Sequence, residues 1–166
     1  MTEARRRAML GLGLWVAALS VVLDQLTKVA VLALLVREGL DDGTRVAPFF
    51  NLVLTYNHGV SFGLFNASGG GRGALVFSLV AGAIVAGLLW WLARAESPLL
   101  AVAIGLIVGG AAGNVADRIR LGAVVDFLDF HLGSWHWPAF NIADSAICLG
   151  VAAMLLDGLL LQRQAS

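Results

Sequence analysis

Ionisable and amide side chains interrupt or border strongly apolar stretches of this sequence at four places. These places are Asp24 with Lys28, Asn57, the stretch 114–129 and the stretch 141–144. Burying an ionisable group at membrane depth is costly, so such residues indicate a functional site by default. The carboxylates among them could activate water and transfer protons, and the amides and cations could orient a substrate.

Asp126 is the carboxylate that a purely structural role explains least well. It lies inside the run VVDFL, and a carboxylate in an apolar run usually needs a partner. Asp144 has two interpretations, because Asn141 and Asp144 also fit the N-cap and N3 positions of a helix. The residues alone therefore leave Asp144, Asp117 and Asp129 as competing partners for Asp126.

The composition is that of a membrane protein. Of the 166 residues, 59% are hydrophobic and only 13% are charged. Soluble domains carry about 25% charged residues, so lipid is the expected solvent. The net charge is zero, which provides no basic field for nucleic acid, so nucleic-acid binding is excluded. At this length we expect a single domain spanning 1–166.

Four apolar stretches approach or exceed the roughly 20 residues that a helix needs to cross a bilayer. They are 8–36, 73–93, 99–116 and 142–161. This pattern predicts an all-α polytopic membrane protein with four transmembrane helices. The first stretch is too long for the apolar part of a cleaved signal peptide, and no small-residue cleavage site closes it. We therefore interpret it as a retained helix.

The ten arginines divide evenly between the two sides, five and five, so their number does not set the orientation. The arginines at 5–7 directly precede the first helix and decide the predicted orientation. Because four crossings return the chain to the starting side, both termini are predicted to be cytoplasmic. The segments 37–72 and 117–141 then face outward. Residues 46–65 are rich in aromatic and β-branched residues and predict a small extracytoplasmic β-rich platform.

Several polar and small residues have structural interpretations that compete with functional ones. Asp24 and Lys28 are spaced i, i+4 and could form an ordinary helical salt bridge. Asn57 precedes His58-Gly59 and could simply form a turn, and Asp157 would meet the headgroup region at the inner end of its helix. Glycines also recur every four residues on one helical face, which favours helix packing; they are Gly105, Gly109 and Gly113.

Metal and thiol chemistry find little support in the sequence. Cys148 is the single cysteine and lies in an apolar run, so no intrachain disulfide or thiolate cluster is expected. The three histidines (His58, His131 and His136) lack metal-ligand spacing. We therefore expect neither a metal nor a cofactor.

Five short blocks contain most of these polar positions in chain order. They read DQLTK at 24–28, YNHGVSFG at 56–63, GGAAGNVADR at 109–118, VVDF at 124–127 and FNIADS at 140–145. Together the blocks closely resemble the signature blocks of the bacterial lipoprotein signal peptidase (signal peptidase II) family. One block alone is weak evidence, but five in this order and spacing are highly specific. The resemblance covers roughly residues 20–150.

The resemblance implies a membrane aspartic endopeptidase of the bacterial inner membrane, with its active site at the extracytoplasmic face. It implies removal of the signal peptide from prolipoproteins, before a lipobox cysteine that already carries a diacylglyceryl group. The family's catalytic aspartates match Asp126 and Asp144. Its other site positions match Asp24, Lys28, Asn57, Asn114, Asp117, Arg118 and Asn141. It further implies a monomer embedded in membrane lipid, no metal or cofactor, and sensitivity to globomycin-type inhibitors.

A pair of carboxylates suits this reaction, because like charges so close together cannot both ionise and therefore share a proton. One can act as general base on water while its protonated partner polarises the scissile carbonyl. Two other classes of function compete, a proton or ion transporter and a non-catalytic scaffold that assembles through its glycines. The clustering of the acids on one side argues against transport, and a scaffold would leave Asp126 unexplained.

Overall fold

The computed structural model describes residues 2–39, 43–58 and 72–165 of the chain. These residues form four long helices and two pairs of strands, one pair between the first and second helices and the other between the third and fourth. In chain order the elements are α1 (Glu3–Glu38), β1 (Thr44–Ala47), β2 (Phe50–Asn57), α2 (Arg72–Leu92), α3 (Pro98–Leu121), β3 (Val124–Leu132), β4 (Trp135–His136) and α4 (Ile142–Ala165). Each of the predicted apolar stretches coincides closely with one helix or lies inside it.

The protein is a mostly helical membrane protein with a small sheet. Within the described part of the chain, three helical segments are long and apolar enough to cross a membrane: Glu3–Leu35, Pro98–Leu121 and Ile142–Leu160. In α2 the apolar segment is shorter, Ser78–Leu92. Many large apolar side chains on these helices are exposed, as expected for surfaces that face lipid.

α3 is the central helix, and α1, α2 and α4 pack around it. A Cβ atom at Gly105 would lie 2.5 Å from a backbone carbonyl oxygen of α1, and one at Gly109 would lie equally close to the next turn of α1. On another face, Gly110 approaches the backbone of Ala143 in α4 too closely for any side chain. The predicted packing role is confirmed for Gly105 and Gly109, whereas the third predicted glycine, Gly113, lies against the side chain of Asp24. Together with Gly110, for which no role is predicted, these glycines bring three helix backbones into direct contact.

α3 extends beyond the predicted end of its apolar stretch at residue 116. It begins after Ser97, whose hydroxyl caps the first turn, and it ends at Gly122, which has a left-handed backbone conformation with φ 73°. The N–H of Gly122 donates to the carbonyl oxygen of Arg118 at 3.0 Å. The helix persists where hydropathy falls because Asn114 and Asp117 are buried against neighbouring elements instead of facing lipid.

Within the residues that the structure describes, four antiparallel strands form one sheet in the order β1-β2-β3-β4, and β3 contacts α1 and α3. β1 and β2 fall largely within the predicted platform, whose residues 59–65 lie outside the described part of the chain. β3 and β4 lie in the segment 117–141, for which no strand is predicted. The first four residues of β3 are all buried, so the alternation that indicates a half-exposed strand is missing there.

Candidate active site

Asp126 lies in β3 with only 3% of its surface exposed. The antiparallel register places Asn57 of β2 opposite Val124, two residues from Asp126 and on the same face of the sheet. Asn57 Nδ2 accordingly donates to Asp126 Oδ2 at 3.1 Å. The other oxygen, Oδ1, accepts from Asn141 Nδ2 at 2.7 Å. Both oxygens of this buried carboxylate are therefore hydrogen-bonded to amides.

Burial raises the pKa of Asp126 from 3.8 to about 6. The hydrogen bond from Asn57 acts against this rise, the negative charge of Asp144 adds to it, and Asn141 and Lys28 act against it more weakly. A carboxyl group with a pKa near 6 can change its protonation state close to neutral pH. General acid–base catalysis is most efficient when the pKa of the catalytic group lies near the working pH.

Asp144 occupies the third position of α4 and forms a capping box with Asn141. The N–H of Asp144 donates to Asn141 Oδ1 at 2.9 Å, and the N–H of Asn141 donates to Asp144 Oδ2 at 3.3 Å. The capping interpretation is therefore confirmed. Capping uses only one carboxylate oxygen, however, and the other accepts from Asn114 Nδ2 at 2.8 Å. A capping role alone does not account for this second contact.

The side chains of Asn141 and Asn114 link the two carboxylates, and we call this pair of residues the amide bridge. Asn141 Nδ2, which donates to Asp126, also lies 3.2 Å from Asn114 Oδ1. Asn114 Oδ1 accepts from Lys28 Nζ at 3.2 Å as well. Because an ammonium group can only donate, this contact fixes the orientation of the Asn114 amide and directs its nitrogen at Asp144.

A buried ion cluster of Asp24, Lys28 and Asp117 adjoins the amide bridge. Lys28 Nζ lies 2.8 Å from Asp24 Oδ2 and 2.7 Å from Asp117 Oδ2, and all three side chains are at most 3% exposed. The salt bridge predicted from the i, i+4 spacing is therefore present, and Asp117 extends it to a triad. Buried ions are tolerated only when paired and hydrogen-bonded, which makes this cluster sensitive to the loss of any member.

The ion cluster also holds the two backbone segments that carry the bridged carboxylates. Asp24 Oδ1 accepts the N–H of Ala143 at 3.0 Å, one of the first-turn amides of α4 that have no partner within the helix. Asp117 Oδ2 accepts the N–H of Val125 at 3.2 Å. These two amides belong to the residues directly before the bridged aspartates. The cluster thus fixes the start of α4 relative to β3.

Arg118 brings a positive charge to the same region. It is half-buried near the end of α3, and its guanidinium interacts electrostatically with Asp144, Asp126 and Asp117. An arginine is always charged and offers five N–H donors. It therefore stabilises net negative charge on the two bridged carboxylates.

Gln25 supports the site although the sequence analysis assigns it no role. Its Nε2 lies 3.0 Å from Asp117 Oδ1 and 3.1 Å from Asp24 Oδ2, and its Oε1 accepts from Arg120 at 2.9 Å. The sequence feature that could have indicated this role is the position of Gln25 inside the DQLTK block, where an amide in an apolar helix directly follows an acid. It supplies donors to two carboxylates of the ion cluster.

Asp129, a competing candidate from the sequence, belongs to a different network. It accepts from Asn51 Nδ2 at 2.8 Å and contacts His136 Nδ1 at 2.9 Å, both from neighbouring strands. Burial alone would raise the pKa of Asp129, but the hydrogen bonds with His136 and Asn51 outweigh it and lower the pKa below 3.8. Asp129 is thus held ionised in a cross-strand contact and does not join the amide bridge.

The residues proposed from the sequence come together at this one place. Each of them takes part in a hydrogen bond, an ion pair or an electrostatic contact with another member of the set. They are Asp24, Lys28, Asn57, Asn114, Asp117, Arg118, Asp126, Asn141 and Asp144. Chemically, the arrangement offers two carboxylates with an adjacent guanidinium and amide donors, as acid–base hydrolysis at a carbonyl requires.

Comparison with known proteins gives a consistent family. A family model described as signal peptidase (SPase) II matches residues 16–160. The lipoprotein signal peptidase of Paraburkholderia phymatum is 45% identical over 148 residues, which are 88% of this chain and 86% of that protein. The lipoprotein signal peptidase of Methylobacterium radiotolerans is 48% identical over 156 residues, covering 89% of this chain and 85% of the relative.

Solved structures support the same relationship. A bacterial membrane enzyme determined by the in meso method at 2.3 Å superposes with a TM-score of 0.76 at 28% identity, covering 94% of this chain and 92% of that chain. A second such structure, at 1.9 Å, gives a TM-score of 0.72 at 28% identity over 90% and 93% of the two chains. Sequence, fold and family model agree, and the chain belongs to the signal peptidase II family of membrane peptidases.

Proposed function

We propose that this peptidase removes the signal peptide from prolipoproteins, cleaving directly before a diacylglyceryl-bearing cysteine, and that Asp126 and Asp144 form its catalytic pair. The substrate class is supported by relatives that are named lipoprotein signal peptidases. The choice of the pair is supported by the amide bridge, which joins these two carboxylates. Asp117 pairs with Lys28 and Asp129 with His136, so both competing acids already have other partners.

In the proposed reaction the two carboxylates share one proton. The ionised carboxylate takes a proton from water as the water oxygen attacks the carbonyl carbon of the scissile peptide bond. The protonated carboxyl gives its proton to the carbonyl oxygen, which yields a tetrahedral diol. The diol then returns a proton to the second carboxylate while the first carboxyl protonates the leaving nitrogen, the C–N bond breaks, and the pair regains its starting state.

The raised pKa of Asp126 supports the sharing of a proton. A value of about 6 means that this group retains a proton to higher pH than an ordinary aspartate; burial is the main cause of this pKa rise, and the nearby negative charge of Asp144 adds to it. The shared proton is a property of the pair, and its two apparent pKa values belong to both residues.

The surrounding polar residues have positioning roles in this proposal. Asn141 and Asn114 set the separation and orientation of the two carboxyl groups, and the ion cluster fixes the backbone on which they stand. Arg118 and Asn57 reach the same carboxylates from α3 and β2 and are suitably placed to hold the substrate backbone. No metal or cofactor takes part in this scheme.

The proposed topology has four crossings of the bacterial inner membrane, with both termini in the cytoplasm. α2 supports the fourth crossing because Arg72–Leu92 has 21 residues, about 30 Å of helix at about 1.5 Å per residue. The arginines at 5–7 favour a cytoplasmic start of α1. The aspartate pair then lies at the extracytoplasmic face, where the signal peptide of a translocated substrate leaves the bilayer.

The proposed partners follow from the same assignment. The lipid-modified prolipoprotein is the substrate, the enzyme acts as a monomer within membrane lipid, and globomycin-type inhibitors block it. Exposed aromatic side chains in β4 and directly beside the strands, Phe49, Trp135 and Trp137, are of the kind that lies at a membrane–water interface. Their exposure supports contact of the sheet with the lipid surface.

The decisive experiment is cleavage of a purified diacylglyceryl prolipoprotein by detergent-solubilised enzyme, followed by mass spectrometry. Asp126→Asn and Asp144→Asn should each lower the cleavage rate by about 10²- to 10⁴-fold, the range for loss of a general acid or base. Either variant retaining more than one tenth of the wild-type rate would overturn the assignment of the pair.

Asp129→Asn is the matched control for this experiment. It makes the same chemical change three positions along the same strand, in a carboxylate that contacts Asn51 and His136 instead of the amide bridge. Its cleavage rate should stay within a few-fold of the wild-type rate. Comparable losses in Asp129→Asn and Asp126→Asn would show that charge removal from β3, rather than loss of a catalytic group, causes the defect.

A further inference from the structure

A cavity of about 800 Å³ opens at the opposite end of the helix bundle from the aspartate pair. It lies beside the first turn of α3, whose helix begins at Pro98, and Asn114 of the amide bridge lies about 24 Å further along that helix at about 1.5 Å per residue. The walls come from the ends of α1 and α2, the turn before α3, and the second half of α4. The proposed peptidase mechanism uses no residue of this cavity.

The lining of this cavity combines both signs of charge with apolar surface. Arg5 and Arg94 contribute cations, Glu96 and Asp157 contribute carboxylates, and side chains such as Trp91 supply apolar walls. The two positive and two negative charges of the lining therefore sum to zero. A cavity at a helix end with this composition matches the depth in a bilayer at which headgroups meet the start of the acyl chains.

Asp157 is the most unusual of these groups because it is only 6% exposed although it belongs to a helix long and apolar enough to span a membrane. Its Oδ1 accepts a short hydrogen bond from the hydroxyl of Ser97, which itself caps α3. A neutral acceptor such as an asparagine would orient that hydroxyl equally well. The negative charge at this position is therefore not required for the cap, and it faces a cavity large enough for a ligand.

Arg94 is held in place at the mouth of the same cavity. Its Nη1 donates to the carbonyl oxygen of Trp90 at 2.9 Å, and its guanidinium carbon lies 3.8 Å from the centre of the Trp90 ring. These contacts restrain the side chain while four of its five N–H donors take no part in the bond to Trp90. Planar guanidinium groups match phosphate oxygens well.

We propose that this cavity binds a phospholipid whose headgroup carries both a phosphodiester and a primary ammonium group, as in phosphatidylethanolamine. Arg5 and Arg94 bind the phosphate, and Asp157 with Glu96 binds the ammonium. Trp91 and the other apolar walls contact the glycerol backbone and the first methylenes. This zwitterion has no net charge and matches the balanced charge of the lining.

Other common headgroups fit the lining less well. An anionic glycerol headgroup leaves Asp157 and Glu96 without a cation and places negative charge beside them. A quaternary ammonium headgroup is positively charged but has no N–H to donate to a carboxylate. The lining should therefore discriminate between ammonium and trimethylammonium forms of otherwise identical lipids.

The test titrates short-chain dihexanoyl phosphatidylethanolamine, phosphatidylcholine and phosphatidylglycerol into the detergent-solubilised full-length protein, with calorimetry as the readout. The wild-type protein should bind the ethanolamine lipid at least about tenfold more tightly than the other two. Asp157→Asn keeps an acceptor for Ser97 and should remove this preference by weakening ethanolamine-lipid binding about tenfold, with choline-lipid binding unchanged. Arg94→Gln should weaken the binding of all three lipids, since all three carry the phosphate.

Arg7→Gln is the control, because Arg7 belongs to the same arginine run but pairs with Glu3 at the exposed surface. It should bind all three lipids as the wild-type protein does. Equal affinities for the three lipids, tightest binding of phosphatidylglycerol, or an unchanged preference in Asp157→Asn would each overturn the proposal. The comparison of the three lipids on the wild-type protein does not depend on the folding of any variant. None of the binding measurements requires proteolytic activity, so a failure of the lipid proposal is distinct from a failure of the proposed function.

Discussion

Replacing Asp126 by asparagine should make the protein more stable near neutral pH while it lowers the cleavage rate by about 10²- to 10⁴-fold. The wild-type carboxyl group has a pKa raised from 3.8 to about 6, so the folded state favours its protonated form. A rise of this size corresponds to about 3 kcal/mol, since one pKa unit is worth about 1.36 kcal/mol. Above pH 6 the wild-type protein must carry the buried charge at this cost, whereas an asparagine carries none.

The direction in which the stability changes with pH follows from the different proton affinities of the folded and unfolded states. Below pH 3.8 the carboxyl is protonated in both folded and unfolded states, and the charge penalty is absent. Between pH 3.8 and about 6 the unfolded state loses its proton first, so the wild-type protein loses stability as the pH rises. The stability of Asp126→Asn relative to the wild-type protein should therefore increase by about 2.5 kcal/mol from pH 4 to pH 7 and then level off.

The assay is equilibrium unfolding of both proteins in detergent at one-unit pH steps from 4 to 8. Taking the difference between the two pH profiles removes any constant effect of altered hydrogen bonds with Asn57 or Asn141. Asp129→Asn provides a control of opposite sign, because the pKa of Asp129 is lowered and its charge stabilises the fold above its unfolded pKa. A flat difference profile for Asp126→Asn, or one that falls toward neutral pH, would refute the reasoning.

Two further predictions concern the ion cluster and the packing of α3 against α1. Lys28→Met leaves two buried carboxylates without their cation and should reduce the free energy of unfolding by about 3–5 kcal/mol. Arg7→Gln is the control, because it breaks an exposed i, i+4 pair, and it should change the free energy of unfolding by less than about 1 kcal/mol in the same assay. Gly109→Ala places a Cβ 2.5 Å from a carbonyl oxygen of α1 and should reduce the thermal midpoint, at a cost of about 1–3 kcal/mol. Gly82→Ala is the control, because its Cβ meets nothing within 4 Å, and it should leave the thermal midpoint unchanged or raise it. An equal fall of the thermal midpoint in the two alanine variants would contradict a packing role for Gly109.

Features that depend on neighbours along the chain could be predicted from the sequence. Apolar length located the helices, the i, i+4 spacing of Asp24 and Lys28 predicted their ion pair, and the spacing of Asn141 and Asp144 predicted the capping box. In each case the two partners belong to one helix, so helical periodicity alone fixes their separation.

Features that depend on strand register or on helix contacts could not be predicted in this way. Asn57 reaches Asp126 because β2 and β3 pair with an irregularity between Leu52 and Thr55, which no local pattern specifies. Asp117 could equally have belonged to a loop, and its partnership with Lys28 arises only where α3 packs on α1. The family resemblance supplied the choice of Asp144 over its competitors, and the structure supplies the contacts that distinguish them.

The ion cluster has a consequence for how the enzyme comes into being. Asp24 in the first helix binds an amide at the start of the last helix, so contacts across 119 residues must form before both bridged carboxylates are in place. During synthesis a chain that lacks α4 has Asp126 but not Asp144. Under the proposed mechanism, a partly inserted chain is inactive. The enzyme therefore becomes proteolytically active only when all of its helices have been inserted, and an incompletely synthesised chain cannot cleave neighbouring polypeptides.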